Sequence, residues 1–224
     1  MSRAAQGVFV FRTWGGRRAG AGHPRRPGRR FVSHRRRAPH DRNAPVHVTL
    51  RATADIPSLR GTRLFGAVRR ALTAASGLTF RLLHFSVQAD HIHLLVEAEG
   101  GNSLVRGCQG LMVRVAKAVN RVLARRGTVW ADRYHARHLR TPREVRHALV
   151  YVLQNWRKHV PGARGWDSRS SAAWLVDGWR TPLPRPHGPP PVRKPRTWLA
   201  REGWRRHGRL GADEGPHHQP RHQR

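Results

Sequence analysis

The chain has 224 residues and a formal net charge of +32, from 44 lysines and arginines against 12 aspartates and glutamates. This excess is larger than solubility requires, so we expect a polyanionic partner, most simply nucleic acid. The single cysteine, Cys108, excludes an internal disulfide and a cysteine-based zinc site. The single cysteine fits a reducing cytoplasm, and no apolar run approaches the length of a membrane span.

The distribution of apolar residues divides the chain into three regions. Residues 1–44 are rich in arginine, glycine and proline, which predicts a flexible basic N-terminal arm. Residues 45–160 carry regular apolar periodicity and predict the folded domain. Residues 161–224 form a basic tail rich in tryptophan, proline and arginine, which we expect to be partly disordered. Its tryptophans could stack on unpaired bases or dock the tail onto the domain, and docking is favoured.

The folded region is predicted to begin with a strand and a helix. Apolar and polar residues alternate along 46–53, which is typical of a strand with one buried face. Ser58 is a suitable N-cap for a helix of about residues 59–76, and Gly77 supplies its C-terminal stop. Apolar residues recur at three- and four-residue steps in this helix and predict its buried stripe.

Two strands, 79–88 and 91–98, follow as a hairpin around a tight turn at Ala89-Asp90. Because side chains alternate across a strand, His91 and His93 point to one face and the apolar residues between and after them point to the other. Two adjacent imidazoles are half of a metal site. With 16 histidines in the chain, a His-x-His pair is nevertheless expected about once by chance, so the spacing alone also fits two solvated or hydrogen-bonded histidines on a half-exposed strand.

A second helix is predicted after Ser103, a good N-cap, because apolar residues then recur at three- and four-residue steps. Its opposite face is basic, and that face is either an ordinary solvated surface or a DNA contact. The residues that we predict to contact DNA, on this helix and further along the chain, are Arg114, Lys117, Arg121, Arg133 and Arg137.

An irregular last strand is predicted over 128–140, followed by a helix from Thr141 to about Lys158. Thr141 and Glu144 form a capping box around Pro142, which is a strong signal for a helix start. The complete order is β-α-β-β-α-β with one more helix. This order predicts an α+β, ferredoxin-like fold, in which a four-stranded antiparallel sheet carries two helices on one face and an additional C-terminal helix.

The last helix changes the interpretation of His91 and His93. Tyr151 and Asn155 are four residues apart, so they lie one turn apart on the same side of this helix. If the helix packs on the sheet face that bears the two histidines, a tyrosyl hydroxyl and an amide oxygen reach that face. Two imidazoles and an amide oxygen could hold Mg²⁺ or Mn²⁺, which would polarise a phosphate for attack by Tyr151.

Four motifs, in their order, resemble those of single-tyrosine HUH transposases, notably the REP-associated tyrosine transposases and the related small insertion-sequence transposases. His91-Ile-His93 resembles the HUH motif, and Trp130-x-x-Arg133-Tyr134 resembles the family's W-x-x-R-F/Y element. Tyr151-x-x-x-Asn155 resembles the Y-x-x-x-N/Q helix, and Pro45-Val-His-Val-Thr49 resembles the first strand. The resemblance covers residues 44–160.

This resemblance implies metal-dependent cleavage of single-stranded DNA, with strand transfer by reversal of the same reaction. His91, His93 and Asn155 would be the metal ligands and Tyr151 the nucleophile, which leaves a 5′-phosphotyrosine and a free 3′-OH. The implied cofactor is Mg²⁺ or Mn²⁺, and the implied partner is single-stranded or hairpin DNA, at the nucleoid of a bacterial cytoplasm. Members of the family act as monomers or dimers, and a homodimer is favoured.

Three other residues near these motifs are better explained by non-catalytic roles. Tyr134 is the second of two tyrosines, and its position in the family can be Phe, which argues against a catalytic role. His147 is better explained as a surface histidine than as a proton carrier, and Asp90 as a turn residue than as a ligand. Many relatives have Asn-Pro where this chain has Asn155-Trp156, so the helix here could continue past Asn155.

Three alternative functions stay open. The same sheet topology occurs in RNA-recognition motifs, so a non-catalytic nucleic-acid-binding protein with an RRM-like sheet is the main alternative. That function predicts exposed aromatic residues on the central strands, where this chain instead has His91 and His93. A degenerate transposase that only binds DNA, and a replication initiator or relaxase, are the weaker alternatives.

Overall fold

The computed structural model describes residues 39–160, 165–184 and 188–215. Residues 1–38 of the predicted N-terminal arm and residues 216–224 of the predicted tail lie outside this part. Within the described ranges, no helix combines the length and the apolar character needed to cross a membrane. The main helices and strands are β1 (Val46–Arg51), α1 (Thr62–Thr73), β2 (Phe80–Val87), β3 (His91–Ala98), α2 (Gly101–Val122), β4 (His135–His138), α3 (Pro142–Gln154) and α4 (Trp198–Arg201).

The four strands form one antiparallel sheet in the order β2-β3-β1-β4. β1 and β3 are therefore the inner strands, and their register pairs Thr49 with His93. Residues that are paired across two strands share a face of the sheet. The α+β class and the four-stranded antiparallel sheet, both predicted from the sequence, are confirmed.

One face of the sheet is covered by α1 and α2. Val48 and Leu94, on the inner strands, are fully buried there against Val68 of α1 and Leu111 and Val115 of α2. Burial of such apolar side chains contributes roughly 1.5–3 kcal/mol each to stability. The apolar residues that alternate with His91 and His93 thus have the buried positions that the sequence predicts.

The opposite face is covered by α3, where Leu95 of β3 packs in one cluster with Leu149. β1 and β3 are therefore buried on both faces, and not on one face as the alternation in β1 predicts. The segment after residue 164 extends this layer: the 3₁₀ turn Gly203–His207 contacts α3, and Trp204 is 1% exposed. Apolar periodicity predicts that Val145, Ala148, Leu149 and Val152 of α3 are buried, and they are. Because α3 is covered on two sides, further residues are also buried, namely Val150, Leu153 and Gln154.

α1 begins at Thr62, three residues later than predicted, and its N-cap is Gly61. The predicted cap, Ser58, lies in a preceding turn, where its carbonyl accepts a hydrogen bond from the Gly61 N–H at 3.1 Å. The same turn is tied to the β2–β3 connection, because the Leu59 N–H donates to the Ala89 carbonyl at 2.9 Å. A tertiary contact therefore sets this helix start.

α2 begins at Gly101, earlier than the predicted start after Ser103. Its N-cap is Gly100, whose backbone is extended, and the Leu104 N–H donates to the Gly100 carbonyl at 2.9 Å. The chain therefore enters the helix directly from the end of β3, and the Ser103 hydroxyl is not needed as a cap.

α3 begins as predicted. The Thr141 side chain accepts a hydrogen bond from the Glu144 N–H, and the Glu144 carboxylate accepts one from the Thr141 N–H, each at 3.2 Å. The α-helix ends at Gln154, and the chain continues as a 3₁₀ turn, Asn155–Lys158. The helical path thus does run past Asn155, but with tighter geometry than the predicted continuous helix.

The burial of Trp204 predicts that the C-terminal segment stabilises the fold. A Trp204→Ala variant should lose about 3–5 kcal/mol of the free energy of unfolding, because a large buried ring leaves a cavity. Trp198→Ala, at a position that is 42% exposed, should lose about 1 kcal/mol or less. Urea denaturation followed by circular dichroism measures both values, and equal losses would contradict the packing of this segment.

Candidate functional site

The site lies where α3 covers the face of β1 and β3 that carries the histidines. The Tyr151 ring is in edge contact with two imidazoles, with centroid distances of 5.0 Å to His93 and 5.5 Å to His47. The His91 and His93 rings are 4.7 Å apart. The tertiary structure therefore brings together Tyr151 and the histidine pair, which are about sixty residues apart in the chain.

His91 is oriented by the residue before it. Its Nδ1–H donates to the Asp90 carboxylate at 2.6 Å, and Asp90 is also held by the Arg51 guanidinium at 2.9 Å. A carboxylate on one imidazole nitrogen leaves the other nitrogen with its lone pair, which is the usual arrangement around metal-binding histidines. Asp90 is thus a turn residue, as predicted, and it also fixes the His91 ring.

His93 is held from β1. Its Nδ1 is 3.2 Å from His47 Nε2 and 3.1 Å from Thr49 Oγ1. Its Nε2 is buried and has no hydrogen-bond partner among the described residues. Burial, reinforced by the neighbouring histidines, lowers the pKa of His93 well below its ordinary value, so the ring is neutral. His93 is therefore a buried histidine that is hydrogen-bonded through Nδ1, and not a solvated one.

His47 is a site residue that the sequence did not single out. It is buried beneath Tyr151, and this burial lowers its pKa to about 3, with a smaller contribution from the charges of His135 and Arg137. The alternation along β1 placed it on the polar face of that strand. Only the pairing of β1 with β3 shows that this face is shared with His93.

Asn155 is buried on the same side. Its Oδ1 accepts a hydrogen bond from His159 Nε2 at 3.2 Å, while its Nδ2 has no partner within the described part of the chain. The His159 ring in turn lies 5.5 Å from the His91 ring. His159 was not predicted, although its position four residues after Asn155 was a usable signal.

Lys158 also reaches Tyr151. Its Nζ lies 4.4 Å from the centroid of the tyrosine ring, and burial lowers its pKa. A cation over the face of a phenol is attracted by the ring, and it would stabilise negative charge that develops on the oxygen. Lys158 was not predicted as a site residue, because its place beside Tyr151 depends on the 3₁₀ turn after α3.

Sequence comparisons add no family: neither the scan of protein-family models nor the comparison with curated proteins finds a match. Among solved structures, the chain is similar to a REP-associated tyrosine transposase bound to a REP hairpin. The identity is 18%, the TM-score is 0.46, and the alignment covers 57% of this chain and 74% of that chain. Such a likeness is too low to carry an argument about activity, which therefore depends on the residues themselves.

The predicted ligand atoms of the site suit some divalent cations better than others. The described residues contain no group of three or more His, Cys, Asp or Glu side chains that could hold a metal ion. The predicted ligands, His91, His93 and Asn155, are not a group of that kind, because the third ligand is an amide. The unpartnered Nε2 of His93 is the observation that favours them, and a mixed nitrogen and oxygen set suits Mn²⁺ better than Mg²⁺, which prefers oxygen alone.

The five residues predicted to contact DNA lie on both sides of the sheet. Arg114, Lys117 and Arg121 are on the outer face of α2, where they line a cavity of about 340 Å³. This face is across the sheet from Tyr151. Arg137 is paired with His47 in the β1–β4 register, so it faces the α3 side, where it forms an ion pair with Glu144 at 2.9 Å.

Three further residues of the sequence motifs have positions in the structure: Arg133, Tyr134 and His147. Two guanidinium nitrogens of Arg133, Nε and Nη2, are buried without a hydrogen-bond partner among the described residues. Tyr134 is buried in the core under α1 and α2, across the sheet from His93, as expected for a packing residue. His147 is exposed, as predicted.

His84 of β2 is a further buried imidazole, and it makes stability depend on pH. Burial lowers its pKa from 6.5 to about 4, with its Nδ1 3.2 Å from Ser171 Oγ. Below pH 6.5 the His84 side chain of the unfolded chain binds a proton, whereas in the folded chain it stays neutral down to about pH 4. The free energy of unfolding therefore decreases as the pH is lowered. His84 should account for a loss of roughly 2 kcal/mol between pH 6.5 and pH 5.

Urea denaturation at several pH values measures this effect. A His84→Gln variant should lose less stability on acidification than the unmodified protein, whereas His207→Gln, at an exposed position, should behave like the unmodified protein. An acid-induced loss in His84→Gln that equals the unmodified loss would show that His84 is not the responsible group.

Proposed function

We propose that the protein is a transposase that cleaves and joins single-stranded DNA, with Tyr151 as the nucleophile. The observation that carries this proposal is the contact of the Tyr151 ring with His93, whose buried Nε2 has no partner among the described residues. Leaving a buried polar atom unpaired costs roughly 1–3 kcal/mol, and such atoms concentrate where a ligand binds. A phenol beside such an atom is a nucleophile beside a binding position.

The proposed reaction is a transfer of one phosphodiester. The Tyr151 Oη forms a bond to phosphorus, and the bond from phosphorus to the 3′ oxygen breaks. The phenol proton ends on that oxygen, so the products are a 5′-phosphotyrosine and a free 3′-OH. Because the phosphate ester is conserved in the covalent link, attack by another 3′-OH reverses the step and joins two strands without an external energy source.

The surrounding residues have distinct roles in this proposal. Lys158 stabilises negative charge near the phenol oxygen, and Asp90 fixes the His91 ring. His91, His93 and Asn155 would hold Mg²⁺ or Mn²⁺, which neutralises charge on the phosphate when it is bound. In this proposal the fold around them is ferredoxin-like, and α3 acts as the catalytic helix.

A non-catalytic binder with an RRM-like sheet is less well supported. Such a protein uses the exposed face of its central strands to stack bases. In this chain α3 covers that face, and Leu95, His47 and His93 are all buried. The sheet has no open surface on which a base could lie at these positions.

The outer face of α1 and α2 supports a second DNA contact. The two helices contain no acidic residue, and their seven basic side chains are all exposed. None of these side chains forms an ion pair with another described residue. They are Arg63, Arg69, Arg70, Arg106, Arg114, Lys117 and Arg121. Uncompensated charges of this kind bind phosphates, so this face would hold DNA across the sheet from the site and would keep the protein at the nucleoid.

Removal of the Tyr151 hydroxyl should abolish a covalent protein–DNA adduct. Labelled single-stranded hairpin DNA and Mn²⁺ should give an adduct with the unmodified protein and with Tyr134→Phe, and none with Tyr151→Phe. The Tyr151 hydroxyl makes no hydrogen bond with any described residue, so Tyr151→Phe should stay folded and keep its stability within about 0.5 kcal/mol. An adduct formed by Tyr151→Phe, or none formed by the folded unmodified protein on any hairpin, would contradict the proposal.

Neutralising the α2 face should weaken DNA binding in a salt-dependent way. In a variant with Arg114→Gln, Lys117→Gln and Arg121→Gln, the slope of log affinity against log salt for duplex DNA should fall by about 0.9 for each lost phosphate contact. A control with Arg180→Gln, Arg196→Gln and Arg201→Gln removes equal charge from exposed ion pairs elsewhere. Fluorescence anisotropy measures both slopes, and equal slopes would mean that only total charge matters.

A further inference from the structure

Trp166 is an exposed aromatic residue that the fold does not explain. It is 41% exposed, and Trp198 is 42% exposed, whereas the other described tryptophans are buried or half-buried. Exposing an indole forgoes the burial of a large apolar surface, so an exposed tryptophan that is held in place is a candidate contact for a partner.

The backbone on both sides of Trp166 is fixed by charged side chains. The carbonyl of Gly165 accepts a hydrogen bond from Arg157 Nη2 at 2.9 Å. Asp167 is buried and binds the Arg60 guanidinium through two hydrogen bonds of 2.8 Å each. The indole is therefore carried on an ordered segment, which lowers the entropy that a ligand would lose on binding it.

These two anchors place Trp166 beside the candidate site. Arg157 belongs to the 3₁₀ turn that also carries Asn155 and Lys158. Arg60 donates a further hydrogen bond to the Val87 carbonyl at 2.9 Å, at the end of β2 and directly before the turn that leads to His91. Trp166 thus stands between the end of α3 and the β2–β3 turn, the two elements that frame the site.

The two exposed tryptophans differ in what covers their rings. The Trp198 ring has the Arg206 guanidinium 4.7 Å from its centroid, and it packs so closely on Gly203 that a β-carbon there would come within 2.8 Å of it. The Trp166 ring has no ring or cation contact with another described residue. With 41% of its surface exposed, the indole thus has no stacking partner among the described residues and can take one from a ligand.

We propose that Trp166 is a stacking platform for one unpaired base of the single-stranded DNA that enters the Tyr151 site. This inference rests on the proposed function, since it names how the substrate of that same site is held. Every base has a π face, so the contact is tolerant of sequence. Bases in a duplex are already stacked on each other, and the contact is therefore specific for unpaired DNA. Lys158, beside the site, supplies positive charge for the adjacent backbone.

The test measures the binding of DNA under conditions in which no metal-dependent cleavage can occur. Fluorescein-labelled oligothymidylate is titrated with protein in EDTA, and anisotropy gives the affinity. Trp166→Ala should bind the oligonucleotide about 5- to 150-fold more weakly, and Trp166→Phe should recover most of the affinity because it restores an aromatic face. Trp198→Ala, the control of matched exposure, should bind within about twofold of the unmodified protein.

A duplex of oligothymidylate with oligoadenylate separates stacking from charge. Trp166→Ala and the unmodified protein should bind this duplex with the same affinity. An equal loss for single-stranded and duplex DNA, or no loss for either, would overturn the proposal, provided that circular dichroism shows Trp166→Ala to be folded.

The adduct assay keeps this result separate from the fate of the proposed function. If the unmodified protein forms no adduct with Mn²⁺ but Trp166→Ala loses single-strand affinity, the stacking platform stands and the catalytic proposal fails. If the unmodified protein forms the adduct and Trp166→Ala binds oligothymidylate normally, the catalytic proposal stands and the stacking platform is wrong.

Discussion

The pairing of β1 with β3 is the constraint on which the rest of the structure depends. Their register places Thr49 opposite His93 and brings His47 within hydrogen-bond distance of the same imidazole. A slip of one residue would turn His93 into the apolar core under α1 and α2, because side chains alternate with a period of two. That core, with Val48 and Leu94 fully buried, therefore holds the histidines in place from behind.

Burial on the α3 side keeps the imidazoles of His47 and His93 neutral, and Nε2 of His93 has no hydrogen-bond partner among the described residues. Neutral rings with lone pairs can accept a metal ion or a hydrogen bond from a substrate, which protonated rings cannot do. Within the described ranges Nε2 of His93 and Nδ2 of Asn155 are buried without a partner, and such atoms cost stability in a folded protein. Other buried polar atoms without a described partner lie elsewhere, among them two guanidinium nitrogens of Arg133, but these two atoms lie together at the candidate site.

The segment after residue 164 is the element that closes this side of the molecule. Trp204 packs on α3, Gln154 Nε2 donates to the Gly211 carbonyl at 2.9 Å, and Asp167 binds Arg60. Acidic side chains are few, and several of them are used in ion pairs that connect distant parts of the chain. Within the described part of the chain, the arginines of α1 and α2 have no such partners, so the positive charge of that surface is uncompensated.

The sequence by itself determined the features that depend on neighbouring residues: the strand alternation, the capping box at Thr141, the common face of His91 and His93, and the one-turn spacing of Tyr151 and Asn155. Only the tertiary structure decided which distant segments meet. The parts of His47, Lys158 and His159 in the site, the position of the α2 arginines across the sheet, and the packing of Trp204 all depend on pairings between residues far apart in the chain. Local periodicity encodes the direction of a side chain, but the partner that it meets is set by the burial of the whole core.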